Sequence, residues 1–347
     1  MKKIKSIIIL ALVLAIGIAS SGCGSKKPTL NVYNWGDYID KSVLKDFEKE
    51  YGIKVIYDTF ETNEDLYVKL KQGGSSYDVI IPSDYMIERM IREDMLVKLD
   101  KSNVPNLNNV DEKFFNLEFD PSNEYSVPYM WGTVGIIYNK TMVDDVVDSW
   151  DILWNEKYKD EIVMLNSQRD TISVSLKRLG YSMNTRNESE LEEAKAELIK
   201  QKPIVRAYLG DEVKDAIVGE EGALAVVWSG DAMYMIRQNG DLDYAIPKEG
   251  TNLWFDSMVI PKSTTNKEGA EKFIDFMSRP EISARNTDYI GYSTPIPEAI
   301  EMLPDDIKHS KVAYPSDAEI ENTEIFKDPL DIIKIYDRIW TEITSEQ

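Results

Sequence analysis

The chain has 347 residues, 61 acidic against 40 basic side chains and a formal charge of −21. That field repels nucleic acid and anionic lipid heads and attracts cations, so a nucleic-acid partner is excluded. One histidine and one cysteine leave no Ser-His-Asp or Cys-His catalytic set, no Cys/His zinc cluster and no internal disulfide.

Lys2, Lys3 and Lys5 precede an apolar run from Ile7 to Ile18, and small residues then lead to Cys23. This reads as a secretory leader over residues 1–22, too short in its apolar core for an ordinary membrane span. Ser20-Ser21-Gly22-Cys23 resembles the lipidation box of bacterial lipoproteins, although Ser20 stands where Leu is usual. Cys23 is the expected lipid site and residues 23–28 a flexible tether. The expected location is the outer face of the cytoplasmic membrane, or its periplasmic side in a double-membraned host.

Residues 29–347 are enough for two lobes. Leu30 to Tyr33 is strand-like. Asp40 is placed to cap a helix from Lys41 to Glu50, which Gly52 ends. Ile53 to Tyr57 alternates as a strand, Glu64 to Lys71 is helical, and Asp78 to Ile81 is a short strand before a helix opened by Pro82-Ser83-Asp84. Such β-α-β-α-β order predicts an α/β protein with a mainly parallel sheet covered on both faces.

The same order resumes further on. Ser189 and Glu192 suggest a capping box for a helix to about Lys200. Helices are expected over 211–218 and 231–238, the latter stopped by Gly240, with strands over 223–228, 244–246 and 255–260. Helices over 267–277, 280–288 and 330–340 complete the chain. No long linker separates the halves, so strands are expected to cross between them.

In open α/β sheets ligands bind beyond the carboxyl ends of strands. There the sequence repeatedly sets an aromatic beside an acid, at Trp35-Gly36-Asp37-Tyr38, Ser83-Asp84-Tyr85 and Trp228-Ser229-Gly230-Asp231, and Trp254-Phe255-Asp256 repeats the pairing near the start of another strand. Asn166-Ser167-Gln168-Arg169-Asp170 occupies another strand end. A carboxylate beside a ring face suits an ammonium group, through charge-assisted hydrogen bonds and a cation–π attraction of about 0.5–2 kcal/mol. Rings also cover the methylene spacers of a linear polyamine. A sugar site is likewise rich in Trp and Asp and stays open as an alternative. So does the plainer reading of Asp37, Asp84 and Asp231 as helix caps.

These residues, with Tyr51 to Val55, Tyr125 to Gly132, Lys177 to Ser182, Pro247 to Gly250 and Ile290-Gly291-Tyr292, resemble the spermidine/putrescine-binding proteins of bacterial polyamine ABC transporters over essentially all of residues 29–347. The resemblance implies a two-lobed periplasmic-binding fold of type II, with mixed sheets and crossover strands as hinge. It implies residues 29–130 and 255–302 in one lobe and 131–254 and 303–347 in the other. It places Trp35, Tyr38, Ser83 and Tyr85 on the first lobe and Asp170 on the second. Trp228 and Trp254 would sandwich the methylenes, Asp256 would bind a charged nitrogen, and Tyr292 would close the far side. Asp37 and Asp231 match putrescine-type members better. A monomeric binding protein without cofactor or metal is expected, delivering its ligand to a membrane permease. The alternative is the same fold serving a sugar, a thiamine-like cation or an iron complex.

Overall fold

The computed structural model describes residues 28–73 and 76–345; the leader and Cys23 lie outside the described residues. The strands are β1 (Thr29–Trp35), β2 (Lys54–Phe60), β3 (Val79–Ile80), β4 (Ser126–Asn139), β5 (Ile162–Leu165), β6 (Val205–Leu209), β7 (Leu224–Trp228), β8 (Leu242–Ala245) and β9 (Leu253–Val259). They run in the order β2-β1-β3-β9-β4-β7-β5-β6, with β8 also paired to β4. Helices cover the faces, as the alternating order of elements requires.

The strand that organises this arrangement is β4, which residue periodicity did not signal. It is buried on both faces along almost its whole length, so its apolar residues do not alternate. It also carries Pro128, Gly132 and Gly135, residues that ordinarily count against a strand. The ladder tolerates the proline through a register shift between Pro128 and Met130.

The first half of β4 pairs with β9, from Ser126 opposite Val259 to Thr133 opposite Leu253. From Val134 onward the partners are β7 and β8. The strand thus belongs to two half-sheets, and the changeover falls at Thr133 and Val134. The parallel pairs are β1–β2, β1–β3, β5–β6 and β5–β7; every antiparallel pair involves β4 or β9. Parallel pairing therefore dominates away from the crossover, and antiparallel pairing marks it.

Helix ends follow local chemistry. Asp40 caps the helix Lys41–Tyr51 by accepting the Ser42 N–H, and Gly52 ends it at φ 68°. The expected Ser189–Glu192 capping box is corrected. Asn187 holds the cap position and accepts the Ser189 N–H at 3.0 Å, while Ser189 lies inside the helix Glu188–Gln201. Asn239, not Gly240, ends the helix Ser229–Gln238. The helix Ile333–Ser345 packs against Glu188–Gln201 and Gln168–Arg178, with Tyr336, Ile339 and Ile343 fully buried.

An extended strap before that last helix ties the half-sheets together. The Glu324 backbone bonds to Thr251 and Leu253, and its carboxylate takes Lys177 at 3.0 Å. Asn184 bonds to Ile325 and Lys327. Asp328 receives the Nε and Nη2 of Arg89 at 2.9 and 2.6 Å, and Arg92 binds its second oxygen. Arg89 and Arg92 belong to the helix Asp84–Arg92 beside the first half-sheet, so this buried ion pair is a bolt across the molecule.

Removing one partner of a buried ion pair leaves the other charged and desolvated. Asp328→Ala is therefore expected to cost about 3–5 kcal/mol. Urea unfolding measures this, and a loss of less than about 1 kcal/mol, the value of an exposed pair, would show that the bolt carries no stability.

Candidate functional site

Strand β9 presents Trp254 and Asp256 on one face, two residues apart, as the pleat requires. The loops after β1 and β3 fold over that face. Tyr38 donates its hydroxyl to Asp256 Oδ2 at 2.8 Å, and Ser83 donates to Oδ1 at 2.6 Å. Asn63 holds Ser83 from behind, through its Nδ2 to Oγ and its Oδ1 to the Ser83 N–H, each at 3.1 Å. Asp84 does not cap its helix, since Ser83 stands in that position. It lies wholly buried and accepts the N–H groups of Tyr85 and Phe255 at 2.6 and 3.0 Å, which pins β9 beside the loop.

Aromatic rings enclose the acid. Tyr292 meets Trp254 edge-on at 5.1 Å and Tyr38 at 5.5 Å, and Tyr129 meets Tyr38 at 5.5 Å while donating its hydroxyl to the Tyr38 carbonyl. Two glycines make room. A Cβ on Gly132 would stand 2.5 Å from the Trp254 ring, and one on Gly230 would stand 2.1 Å from Tyr292. Tyr292 thus lies directly on backbone from the other half-sheet, while Trp254 lies on the glycine opposite it in the β4–β9 ladder.

The second half-sheet contributes the start of the helix Gln168–Arg178. Asp170 accepts the Ser167 hydroxyl at 2.6 Å on Oδ2, while its buried Oδ1 has no hydrogen-bond partner. Arg169 turns the other way. Its guanidinium lies 4.1 Å from the centre of the Phe326 ring, 5.3 Å from Tyr336 and 5.4 Å from Tyr85 of the opposite half, with Nη1 donating to the Lys327 carbonyl. Asp231, in the first turn of its helix and not at its cap, is 3.5 Å from Lys214.

Asp256 is 5% exposed and Asp170 7%, and among the described residues neither forms an ion pair. Burial pushes the Asp256 carboxyl up to about 6 against the pull of its two hydroxyl donors, and it raises Asp170 as well. Burial also takes Asp231 to about 6, although Lys214 pulls it back, and Asp84 to about 8. The cluster thus joins buried acids to aromatic walls; Lys214 answers Asp231 and the Arg169 charge acts on Asp170 and Asp84, while Asp256 has hydroxyl donors only.

The remaining expected residues are dispersed around this cluster. Tyr85 donates to Glu64 at 3.1 Å, and Trp35 packs on Phe60 with its indole N–H buried and unpartnered. Trp228 is half-buried at the end of β7, opposite Val134. Asp37 is exposed and accepts the Tyr289 hydroxyl at 3.1 Å, apart from the buried acids. Sequence reasoning singled out neither Asn63, Tyr129, Gly132 nor Asn252. Gly132, inside an apolar segment, carried the one available hint, since a strand glycine marks close approach. Among the described residues no cluster of three or more His, Cys, Asp or Glu is placed to hold a metal, and His309 is exposed.

Comparison with known proteins follows the same lines. Residues 42–318 match the family model of the bacterial extracellular solute-binding proteins. The spermidine/putrescine-binding periplasmic protein of Salmonella typhimurium is 38% identical over 348 aligned residues, which cover 99% of each chain. A spermidine/putrescine ABC transporter substrate-binding protein from Streptococcus pneumoniae superposes with a TM-score of 0.81 at 42% identity, over 91% of this chain and 98% of that one. A Treponema pallidum lipoprotein superposes with a TM-score of 0.83 at 29% identity, over 91% and 99% of the two chains.

The raised Asp256 pKa has a stability consequence. Its folded value near 6 lies above its unfolded value, so its contribution is fully present below about pH 4 and is lost as pH rises through 6. Asp256→Asn is expected to stabilise the ligand-free protein at pH 7.5 by roughly 1–3 kcal/mol and to leave it unchanged at pH 4. Thermal unfolding at the two pH values tests this. A loss of stability at pH 7.5 would mean that Asp256 is not held desolvated.

Proposed function

We propose that this chain, which belongs to the bacterial extracellular solute-binding protein family, captures a linear polyamine between its half-sheets and delivers it to the membrane permease of an ABC importer. One observation carries the reading: Asp256 and Asp170, one on each half, are buried and, among the described residues, form no ion pair. Leaving them so is costly, and a protonated amine at each removes the cost. A flexible chain with ammonium groups at its ends supplies both, whereas a sugar supplies neither.

In this reading Asp256 binds one ammonium, held ready by Tyr38 and Ser83, and Asp170 binds another. Trp254 and Tyr292 cover the methylene spacer, each buried CH₂ contributing about 0.8 kcal/mol. Trp228 walls the side towards β7, and Tyr85, carrying Arg169 on its ring, closes the side towards the strap. Asp231 adds negative potential beneath Tyr292. Trp35 and Asp37 stand at the rim, Asp37 facing solvent as an entry acid. The names of the Salmonella and Streptococcus relatives, both of which specify spermidine and putrescine, support the ligand class.

Closure follows from differential affinity. The lobes, residues 29–130 with 255–302 and residues 131–254 with 303–347, turn about β4 and β9. Ligand touching both halves favours the closed form over the open one. The permease then distinguishes loaded from empty protein by shape. Cys23 carries the lipid that keeps the protein at the membrane, a reading supported by its place after Ser20-Ser21-Gly22 and by the likeness to the Treponema lipoprotein.

Isothermal titration tests the ligand class. Spermidine or putrescine is expected to bind one to one, and Asp256→Asn to weaken binding by roughly two to four orders of magnitude, the 3–5 kcal/mol of an unpaired buried ammonium. Folded, amine-free protein that gives no heat with either amine, yet binds a neutral sugar, would contradict the proposal.

A further inference from the structure

A small space lies beside Asp170. It is a cavity of about 10 Å³ lined by Asp170, Ser173, Asn252, Lys177, Trp150 and Val134 among others, and Trp254, Asp256 and Tyr292 take no part in it. A volume of that order admits one water molecule and nothing larger. Three of its lining side chains turn an unpartnered polar atom into the protein interior: Asp170 Oδ1, Ser173 Oγ and Asn252 Oδ1. All three residues are more than nine-tenths buried, at 7%, 4% and 5% exposure. Lys177 is already engaged with Glu324 at 3.0 Å.

The chemistry of the three atoms selects the occupant. A carboxylate oxygen and an amide oxygen only accept, and a hydroxyl can donate. A water molecule has two protons to give and lone pairs to receive, so it satisfies all three at once. A buried acceptor left unmade costs about 1–3 kcal/mol, more than the 0–2 kcal/mol for immobilising a water.

We infer that a single structural water is held by Asp170, Ser173 and Asn252, and that through it Ser173 and Asn252 are positioning residues for the amine-binding carboxylate. Ser173 lies one turn after Asp170 on the same helix. Asn252 lies immediately before β9; its carbonyl accepts the Val134 N–H at 3.2 Å, and its backbone pairs with Glu324 of the strap. The water therefore joins the acid of the second half-sheet to the place where both crossing strands change partners. Asp170 is braced on one oxygen by Ser167 and on the other by the hinge. The inference about positioning rests on the proposed role of Asp170 in binding amine; the water site itself does not.

Two measurements test it. The first is a crystal structure of the full chain with putrescine, at a resolution that orders single waters. One water peak within about 2.7–3.1 Å of the three atoms is expected. A dry cavity, or a peak at the shorter distances of a bound metal ion, would overturn the site. The second is putrescine affinity in a double-mutant cycle. Ser173→Ala is expected to weaken binding about five- to tenfold in the native background, the worth of one net hydrogen bond, and less than about twofold beside Asp170→Asn. An equal loss in both backgrounds would make Ser173 merely structural and overturn its positioning role. If Asp170→Asn alone leaves affinity unchanged, the amine-binding role of Asp170 fails and positioning with it, while the water peak still decides the site.

Discussion

A carboxylate taken out of water must be neutralised, protonated or paired, and the site is built around not pairing two of them. Asp256 is held by hydroxyls alone, from Tyr38 and Ser83, and Asp170 by the hydroxyl of Ser167 with the Asn252 side chain beside it. Hydroxyl donors orient an acid without cancelling its charge, so the attraction for a cation is retained while the geometry is fixed in advance. The contrast with Asp328 is instructive. There two arginines already supply the charge, and the result is a structural bolt with nothing left to offer a ligand. Asp84 shows a third solution: backbone N–H groups and complete burial make it part of the frame.

That disposition of charge depends on the crossing of β4 and β9. Because β4 changes partners between Thr133 and Val134, the ring of Trp254 rests on Gly132 of its own β4–β9 ladder just before the changeover, while Tyr292 rests on backbone of the other half at Gly230. The close approach is steric and requires the absence of a Cβ. It also explains why the walls and the acids of the cleft come from segments far apart in sequence yet close to one crossing point. Arg169 adds a contact of a different kind, with its charge spread over Tyr85, Phe326 and Tyr336. A guanidinium stacked among rings, its Nη1 on the Lys327 carbonyl and its Nε and Nη2 without hydrogen-bond partners, stays close to Asp170 without closing on it as a salt bridge.

Much of this was legible in the residues. The caps at Asp40 and Gly52, the alternation in β2 and the amphipathic last helix follow from local rules and are where those rules place them. Pairing of aromatics with acids pointed to Trp254 and Asp256, and the family resemblance to Asp170, each beside an element that periodicity does detect. What stayed hidden was set by tertiary context. β4 is buried on both faces and interrupted by proline and glycine, so neither period nor propensity marks it. Asn63 bonds to Ser83 across 20 residues, and Asn252 meets Asp170 only because a loop and a helix start converge. Asp37 and Asp84 match the same local pattern as Asp256, yet one is solvated and the other is bonded into the frame. No spacing rule distinguishes the three, since burial decides their roles.

The claim at the centre is that amine replaces a proton on a desolvated acid. Proton exchange on binding reports this directly: putrescine titrated at pH 6 in two buffers of different ionisation enthalpy, with the heats compared. With the Asp256 carboxyl near 6, about half of the protein carries a proton there before binding and loses it on binding. A release on the order of half a proton per amine is predicted from Asp256, falling towards zero at pH 8 and clearly reduced in Asp256→Asn, where Asp170 and Asp231 still carry raised values. Heats that do not depend on the buffer at pH 6 would contradict the account, because they would mean that the acid was already ionised and solvated before any ligand arrived.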